Sequence, residues 1–145
     1  MTPTTILVSQ NQEKITQNPQ LDLVIENTED NTKVLRVPAL VDTGYQGYVL
    51  ISETVAKKLK LKRLKNITQK VKNADEGKTE NRVAIAWVEF LSLDAPNPRC
   101  KIPCVIKDMK DTCVLGSKML AKFAKDNRAH LVFNYLQDKI QFISA

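Results

Sequence analysis

The sequence of 145 residues predicts a mainly β fold, closed as a small barrel or a folded-over sheet, with one short and one moderate helix. Three observations support this: most apolar segments are short and rich in β-branched residues, only two have helical spacing, and each of the four glycines falls at a break between segments. A composition of 43% apolar and 26% charged residues is ordinary for a globular protein. We therefore expect a single domain over residues 1–145.

Strands are predicted where Val, Ile, Leu and aromatic residues are bounded by Asn, Asp, Gly or Pro. In chain order these segments are TTILVSQ, QLDLVIEN, KVLRVPALV, NITQKVKN, RVAIAWVEFLSL, KIPCVIK, CVLG, HLVFNY and KIQFIS. Helices do not alternate with them, which argues against a parallel βαβ sheet.

The two segments with helical spacing are ISETVAKKLKL, with Ser52 as its predicted N-cap, and GSKMLAKFAKDN, with Ser117 as its predicted N-cap. Lysines follow near the C-terminal end of the first, where they suit the helix dipole. The predicted inner faces consist of Val55, Ala56 and Leu59 in the first helix, and Met119, Leu120 and Phe123 in the second.

Cys100, Cys104, Cys113 and the lone His130 are residue types that bind zinc. Cys100 and Cys104 lie four positions apart in a predicted strand, which places them about 13 Å apart, too far to share a metal or to form a disulfide. We expect buried or half-buried reduced thiols and no metal. His130 is expected near a strand end rather than as a ligand or a base.

A strongly basic segment, KKLKLKRLKNITQKVK, covers residues 57–72, and it contains eight Lys or Arg and no acidic residue. It could be a nucleic-acid patch. The spacing of Leu59, Leu61, Leu64, Ile67 and Val71 instead suits a helix end followed by a strand with lysines facing water, and no aromatic residue is present on which a base could stack. Binding of nucleic acid is therefore not expected, although it supplies a second hypothesis.

The N-terminal segment MTPTTILVSQNQEK has no basic region before an apolar stretch, and no run of 18 apolar residues occurs anywhere. We expect a cytoplasmic protein that does not cross a membrane.

The glycines mark an ordered set of motifs. Gly44 and Gly47 follow Asp42 in ALVDTGYQGYVLIS, Gly77 lies in NADEGKTE at the tip of a predicted long hairpin, and Gly116 ends CVLG before the second helix. ALVDTG at 39–44 and VLG at 114–116, about 70 residues apart with a hairpin between them, closely resemble the retropepsin-like (clan AA) aspartic proteases. The continuation DTGYQGYVLIS is similar to their bacterial single-domain group. The resemblance extends over about residues 18–143.

This resemblance implies a closed β-barrel half with a flap hairpin, and an aspartic endopeptidase that needs no cofactor. Peptide hydrolysis needs a base to activate water and an acid for the leaving amide, and two carboxyls that share one proton supply both. The chain has one Asp-Thr-Gly, and Asp111-Thr112-Cys113 lacks the glycine and the apolar lead-in. The resemblance therefore implies a homodimer in which each chain contributes one Asp42.

The resemblance also assigns supporting roles. The Thr43 hydroxyl would reach across the two-fold axis, and Gly44 would let the backbone approach water and substrate. Residues 114–116 would pack beneath the catalytic loop: Val114, Leu115 and Gly116. The hairpin tip would close over an extended peptide substrate; its residues are Asp75, Glu76, Gly77 and Lys78.

Two departures and two alternatives stand beside this hypothesis. Tyr45 occupies a position where retroviral members have a small residue, so the neighbourhood of the carboxylates should be bulkier. The charged hairpin tip either favours substrates with polar groups or is simply a solvated turn. An aspartate that binds local backbone amides is the alternative for Asp42. A non-catalytic binding module, which would use residues 57–72 to hold nucleic acid or an acidic partner, is the alternative function.

Overall fold

A computed structural model describes residues 5–7, 20–73, 77–91, 99–110, 112–136 and 139–144. The strands are β1 (Thr5–Leu7), β2 (Gln20–Asn27), β3 (Val34–Val41), β4 (Val49–Ser52), β5 (Arg63–Asn73), β6 (Gly77–Phe90), β7 (Arg99–Lys107), β8 (Cys113–Leu115), β9 (Ala129–Asn134) and β10 (Lys139–Ser144). The helices are α1 (Glu53–Lys58) and α2 (Ser117–Asp126).

Seven strands form one sheet in the order β2-β3-β8-β4-β7-β6-β5, and an additional β2–β6 pairing closes six of them into a barrel. Most pairings are antiparallel, but β3–β8 and β4–β7 are parallel. β5 and β6 form a long hairpin in which Asn73 pairs with Gly77. A separate three-stranded sheet has the order β1-β10-β9. The predicted mainly β fold with a closed barrel and a long hairpin is confirmed.

Strand alternation builds the main core, a cluster of buried side chains inside the barrel. β2 contributes Leu21, Leu23 and Ile25, all fully buried, while the residues between them are partly exposed. α2 covers one side of the barrel with Met119, Leu120 and Phe123, which are the three residues predicted for its inner face.

The helix starts confirm one prediction and correct another. Ser52 is the N-cap of α1, where its hydroxyl accepts a hydrogen bond from the backbone N–H of Val55 at 3.2 Å. Ser117 is not the N-cap of α2; it is the first helical residue, and the extended Gly116 is the cap, without a side-chain hydrogen bond. The helix begins one residue early because β8 ends at Leu115 and the Gly116 carbonyl already accepts from the N–H of Leu120.

Strand β4 was not predicted from the sequence. Its four residues, VLIS, are all buried, so the alternation that identifies a half-exposed strand is missing, and α1 follows immediately. β4 lies between β7 and β8, so the barrel is continuous only through this strand.

Candidate active site

Asp42 is held at the point where β3 meets β8. Leu40 pairs with Val114 and Val41 pairs with Leu115 in parallel register. The N–H of Asp42 then donates a hydrogen bond to the Leu115 carbonyl at 2.9 Å, which extends this ladder by one residue. The VLG segment therefore lies beside the Asp-Thr-Gly segment, and its main chain holds the backbone of Asp42 in place.

The carboxylate loop, residues 42–48, then turns away from the sheet. The Tyr45 N–H donates to the Asp42 carbonyl at 3.1 Å, and the Gly44 N–H donates to Asp42 Oδ1 at 2.9 Å. Asp42, Thr43 and Gly44 are all exposed. One carboxylate oxygen is thus oriented by a backbone amide while the group remains open to solvent.

The start of α2 supports the other half of the carboxylate loop. The N–H groups of Gly116, Ser117 and Lys118 donate to the carbonyls of Tyr48, Tyr45 and Gly47 at 2.9, 2.8 and 3.2 Å respectively. A Cβ on Gly116 would lie 2.2 Å from the Gly47 carbonyl oxygen and 2.7 Å from that of Tyr45. Only glycine therefore permits this close approach of two backbone segments.

The contributions of Gly47 and Tyr48 to this support were not predicted. Both residues act through main-chain carbonyls, which any residue type carries, so the sequence held little signal for them. Gly47 was noted only as a second glycine in the motif. Gly116 must be glycine because a Cβ there would meet the Gly47 carbonyl oxygen, whereas a Cβ on Gly47 would meet the Tyr45 ring.

Tyr45 is half-buried and its ring packs against apolar residues rather than extending into solvent. The hydroxyl is fully buried and has no hydrogen-bond partner in the described part of the chain. Burial raises the pKa of Tyr45 to about 12, with a smaller contribution from the nearby Cys104 thiol. The side chain is therefore neutral over the whole physiological range.

The predicted hairpin tip is only partly described. Gly77 is the first residue of β6 and Lys78 pairs in register with Lys72, whereas Asp75 and Glu76 lie outside the described residues. Among the described residues, no hydrogen bond joins Gly77 to the carboxylate loop. The structure therefore brings together Asp42, Gly44, Tyr45 and residues 114–116, and the predicted role of the hairpin tip stays a prediction.

In residues 57–65 of the basic segment, the lysines face water, as expected for a solvated face. Leu59 and Leu61 are buried, and the interleaved lysines are exposed: Lys57, Lys58, Lys60, Lys62 and Lys65. Ile67 differs from the expected pattern because it is 50% exposed. Arg63 is engaged by Glu53 of α1, and this hydrogen-bonded ion pair lowers the pKa of the Glu53 carboxyl.

The cysteines are free and buried, as predicted. Burial raises the pKa of Cys104 to about 12 and that of Cys113 well above its ordinary value. His130 is exposed near the start of β9. In the described ranges, no group of three or more His, Cys, Asp or Glu side chains could hold a metal ion. No helix in the same part of the chain is long and apolar enough to span a membrane.

A closed barrel with an Asp-Thr-Gly loop beside a VLG strand end is the architecture of a retropepsin-like aspartic protease. Residues 29–122 match the family described as "gag-polyprotein putative aspartyl protease", and the chain belongs to this family. Among solved structures, it is similar to a retropepsin-like aspartic protease from Rickettsia conorii, at 16% sequence identity and a TM-score of 0.57. That match covers 98% of this chain and 92% of the other. A comparison with curated proteins found no match.

Proposed function

We propose that this protein is an aspartic endopeptidase whose active site contains two Asp42 carboxylates, one from each chain of a homodimer. The observation that carries the proposal is the environment of Asp42. Its backbone is bonded to Leu115, one carboxylate oxygen accepts from Gly44, and the side chain remains exposed. Because the backbone of Asp42 is held in place and its carboxylate is exposed, the carboxylate is suited to bind a water molecule or a second carboxyl.

Two such carboxyls close together cannot both ionise at low energetic cost, so the pair retains one proton. The ionised Asp42 takes a proton from the attacking water, and the protonated Asp42 of the partner chain donates a hydrogen bond to the scissile carbonyl oxygen. Breakdown of the tetrahedral intermediate then delivers a proton to the amide nitrogen. No covalent intermediate forms with the protein.

Thr43 supports the two-chain site. It is exposed beside Asp42, so its hydroxyl can bond to the equivalent loop of a second chain. Thr43→Val should weaken association, whereas Thr43→Ser, which retains the hydroxyl, should not. A sedimentation series of the two variants tests this role.

An apolar surface at the end of β9 supports association. Leu136 is 95% exposed and Tyr135 is 57% exposed, directly after the last residue of β9. Burial of such side chains against a second chain is favourable by roughly 25 cal/mol per Å² of apolar area. Both residues lie in the turn that follows β9, a strand of the three-stranded sheet.

The decisive experiment is to incubate a mixed peptide library with wild type and with Asp42→Asn between roughly pH 4 and 7, where a shared carboxyl proton titrates. Mass spectrometry of the products should show cleavage by the wild type and none by the variant. Asn has nearly the shape of Asp, so the two proteins should have similar melting temperatures. Equal cleavage by both would identify a contaminating protease and refute the proposal.

The second candidate function is a binding module that uses residues 57–72 to hold nucleic acid or an acidic partner, favoured by the exposed lysines of residues 57–65. Contacts with phosphates lose affinity steeply as salt rises. A salt titration with a generic oligonucleotide separates this candidate from the protease. No binding at low salt excludes its nucleic-acid form.

A further inference from the structure

A row of apolar side chains crosses five adjacent strands on the face of the sheet opposite to the main core. The register pairs Leu40 with Val114, Val114 with Leu50, Leu50 with Val105, and Val105 with Val83. We call these five residues the outer apolar row. The last four are buried and form a cluster separate from the main core, with Leu40 packed against it.

Asp42 lies at one end of this row. Leu40 and Asp42 are two positions apart, and Asp42 continues the β3–β8 ladder through its bond to Leu115. Because alternate residues of an extended segment share a face, the carboxylate is on the side of the outer apolar row, whereas Val41 faces the main core. A peptide that reaches Asp42 must therefore pass next to this row.

Tyr45 lies next to the outer apolar row, on the side of the sheet that carries Asp42. Its ring packs against the outer apolar row, and its backbone is bonded at both ends, by its own N–H to Asp42 and by its carbonyl to Ser117. The ring also lies against two glycines: a Cβ on Gly47 would be 2.2 Å from the Tyr45 hydroxyl oxygen, and a Cβ on Gly116 would be 2.6 Å from Tyr45 Cδ2. The ring is therefore enclosed rather than free to move aside.

The hydroxyl adds a second piece of information, because it is buried without a partner in the described part of the chain. The hydroxyl lies against Gly47 and near the Cys104 thiol, while the ring packs against the outer apolar row. A charged or strongly polar substrate group placed there would lose its hydration without gaining hydrogen bonds. On the face of the sheet that carries Asp42, the neighbouring side chains are thus an enclosed ring and apolar residues.

We propose that Tyr45 is a specificity-determining residue that fills the apolar space beside Asp42, so that the substrate must present a small, uncharged side chain next to the scissile bond. The inference rests on the proposed protease function and names the substrate class of the same site: peptides with glycine, alanine or serine at this position. Removal of the ring should open the space to leucine or phenylalanine.

The test uses one peptide that the wild type cleaves, with its scissile bond located by mass spectrometry. Derivatives carry Ala, Leu or Phe at each of the two positions that flank this bond, and kcat/KM is measured for each. For Tyr45→Ala, the ratio of kcat/KM for the Leu peptide to that for the Ala peptide should rise at least about tenfold, because a steric limit of this kind discriminates by about that factor. A ratio does not depend on the fraction of enzyme that is folded.

Three further variants make the test specific. Tyr45→Phe keeps the ring and should keep the wild-type ratio; a changed ratio would mean that the hydroxyl rather than the ring selects the substrate, and would overturn the inference. Tyr45→Leu should shift the ratio in the same direction as Tyr45→Ala, and it serves if the alanine variant does not fold. Tyr48→Ala removes a ring from the same loop that packs against the main core, and should leave the ratio unchanged.

The outcomes separate this inference from the proposed function. A wild-type protein that cleaves no peptide overturns the protease, and this inference with it. Cleavage with the same ratio in wild type, Tyr45→Ala and Tyr45→Leu overturns the role of Tyr45 alone.

Discussion

Gly116 lies where the start of α2 crosses the carboxylate loop, and Gly116→Ala adds a single methyl group at this crossing. The new Cβ would lie 2.2 Å from the Gly47 carbonyl oxygen and 2.7 Å from that of Tyr45, both of them backbone atoms. Backbone φ at Gly116 is −92°, a value that alanine adopts without strain. The expected damage therefore comes from collision alone.

The size of the effect follows from what must move. Overpacking costs about 1–3 kcal/mol. If the loop shifts to relieve it, the three hydrogen bonds that Gly116, Ser117 and Lys118 donate to the loop weaken, and each is worth about 1 kcal/mol. Alanine also lowers the conformational entropy of the unfolded chain, which offsets about 0.4–1 kcal/mol of this loss of stability. We expect the free energy of unfolding to fall by about 3 kcal/mol, which lowers the melting temperature by roughly 6–12 °C for a chain of this length.

The assay is thermal unfolding followed by circular dichroism, with Gly44→Ala as the matched control. A Cβ on Gly44 would lie 3.2 Å from Asp42 Oδ1, a side-chain atom, and would meet no backbone at close range. Its stability should stay within about 1 kcal/mol of the wild type. Equal melting temperatures for Gly116→Ala and the wild type would refute the close approach of the two segments.

Four further predictions concern the dimer, the buried hydroxyl and the thiols. Co-refolding of wild type with Asp42→Asn should give specific activity that falls as the square of the wild-type fraction, to about a quarter at an equal mixture; a linear fall, once subunit exchange is shown, contradicts the two-chain site. Sedimentation at micromolar concentration should give a mass near twice 16.4 kDa, and Leu136→Glu should shift it towards the monomer; a monomeric wild type contradicts this. Tyr45→Phe should raise the free energy of unfolding by about 1 kcal/mol, because it removes an unpartnered hydroxyl. Burial raises the pKa of Tyr45 to about 12, so the folded protein keeps this hydroxyl protonated at a pH where the unfolded chain ionises it. The free energy of unfolding of the wild type should therefore be unaffected by this group below about pH 10 and fall as pH rises towards 12. In an alkaline titration, Tyr45→Phe should lose less unfolding free energy than the wild type. The Cys113 thiol, whose pKa burial also raises, should react with iodoacetamide at pH 8 only after unfolding; rapid labelling of the native protein would contradict its burial.

The sequence predicted most strands and both helices because their patterns have a clear physical basis. β2 alternates buried and partly exposed residues, and α2 repeats its apolar residues at helical spacing. β4 was missed because a strand buried on both faces shows no alternation. Ser117 was wrongly predicted as a cap because its residue type suits that role, whereas the position is decided by where β8 ends.

For the site, the resemblance carried by the ordered motifs implied that residues 114–116 pack against the loop of Asp42, and the main chains of Asp42 and Leu115 are bonded there. The hydrogen bonds of Tyr45, Gly47 and Tyr48 with α2 depend on strand register and on main-chain atoms, for which residue types carry little information. A bulky Tyr45 near Asp42 was expected. The direction of its ring was not, because the ring packs against the outer apolar row, which includes residues of the distant strands β6 and β7. The catalytic, substrate-binding and dimer roles stay predictions.

The hydrogen bond from Asp42 to Leu115 joins residues far apart in the chain, and Gly116 and Lys118 return to the same loop. Contacts of such high sequence separation form late, because the entropy of closing a long loop is lost before the contacts can stabilise it. During synthesis, the loop at residues 42–48 is made early but has no partner until the chain has been extended beyond residue 118. A nascent or truncated chain therefore carries the Asp-Thr-Gly sequence without a fixed carboxylate, and the position of the carboxylate is set only on completion of the barrel.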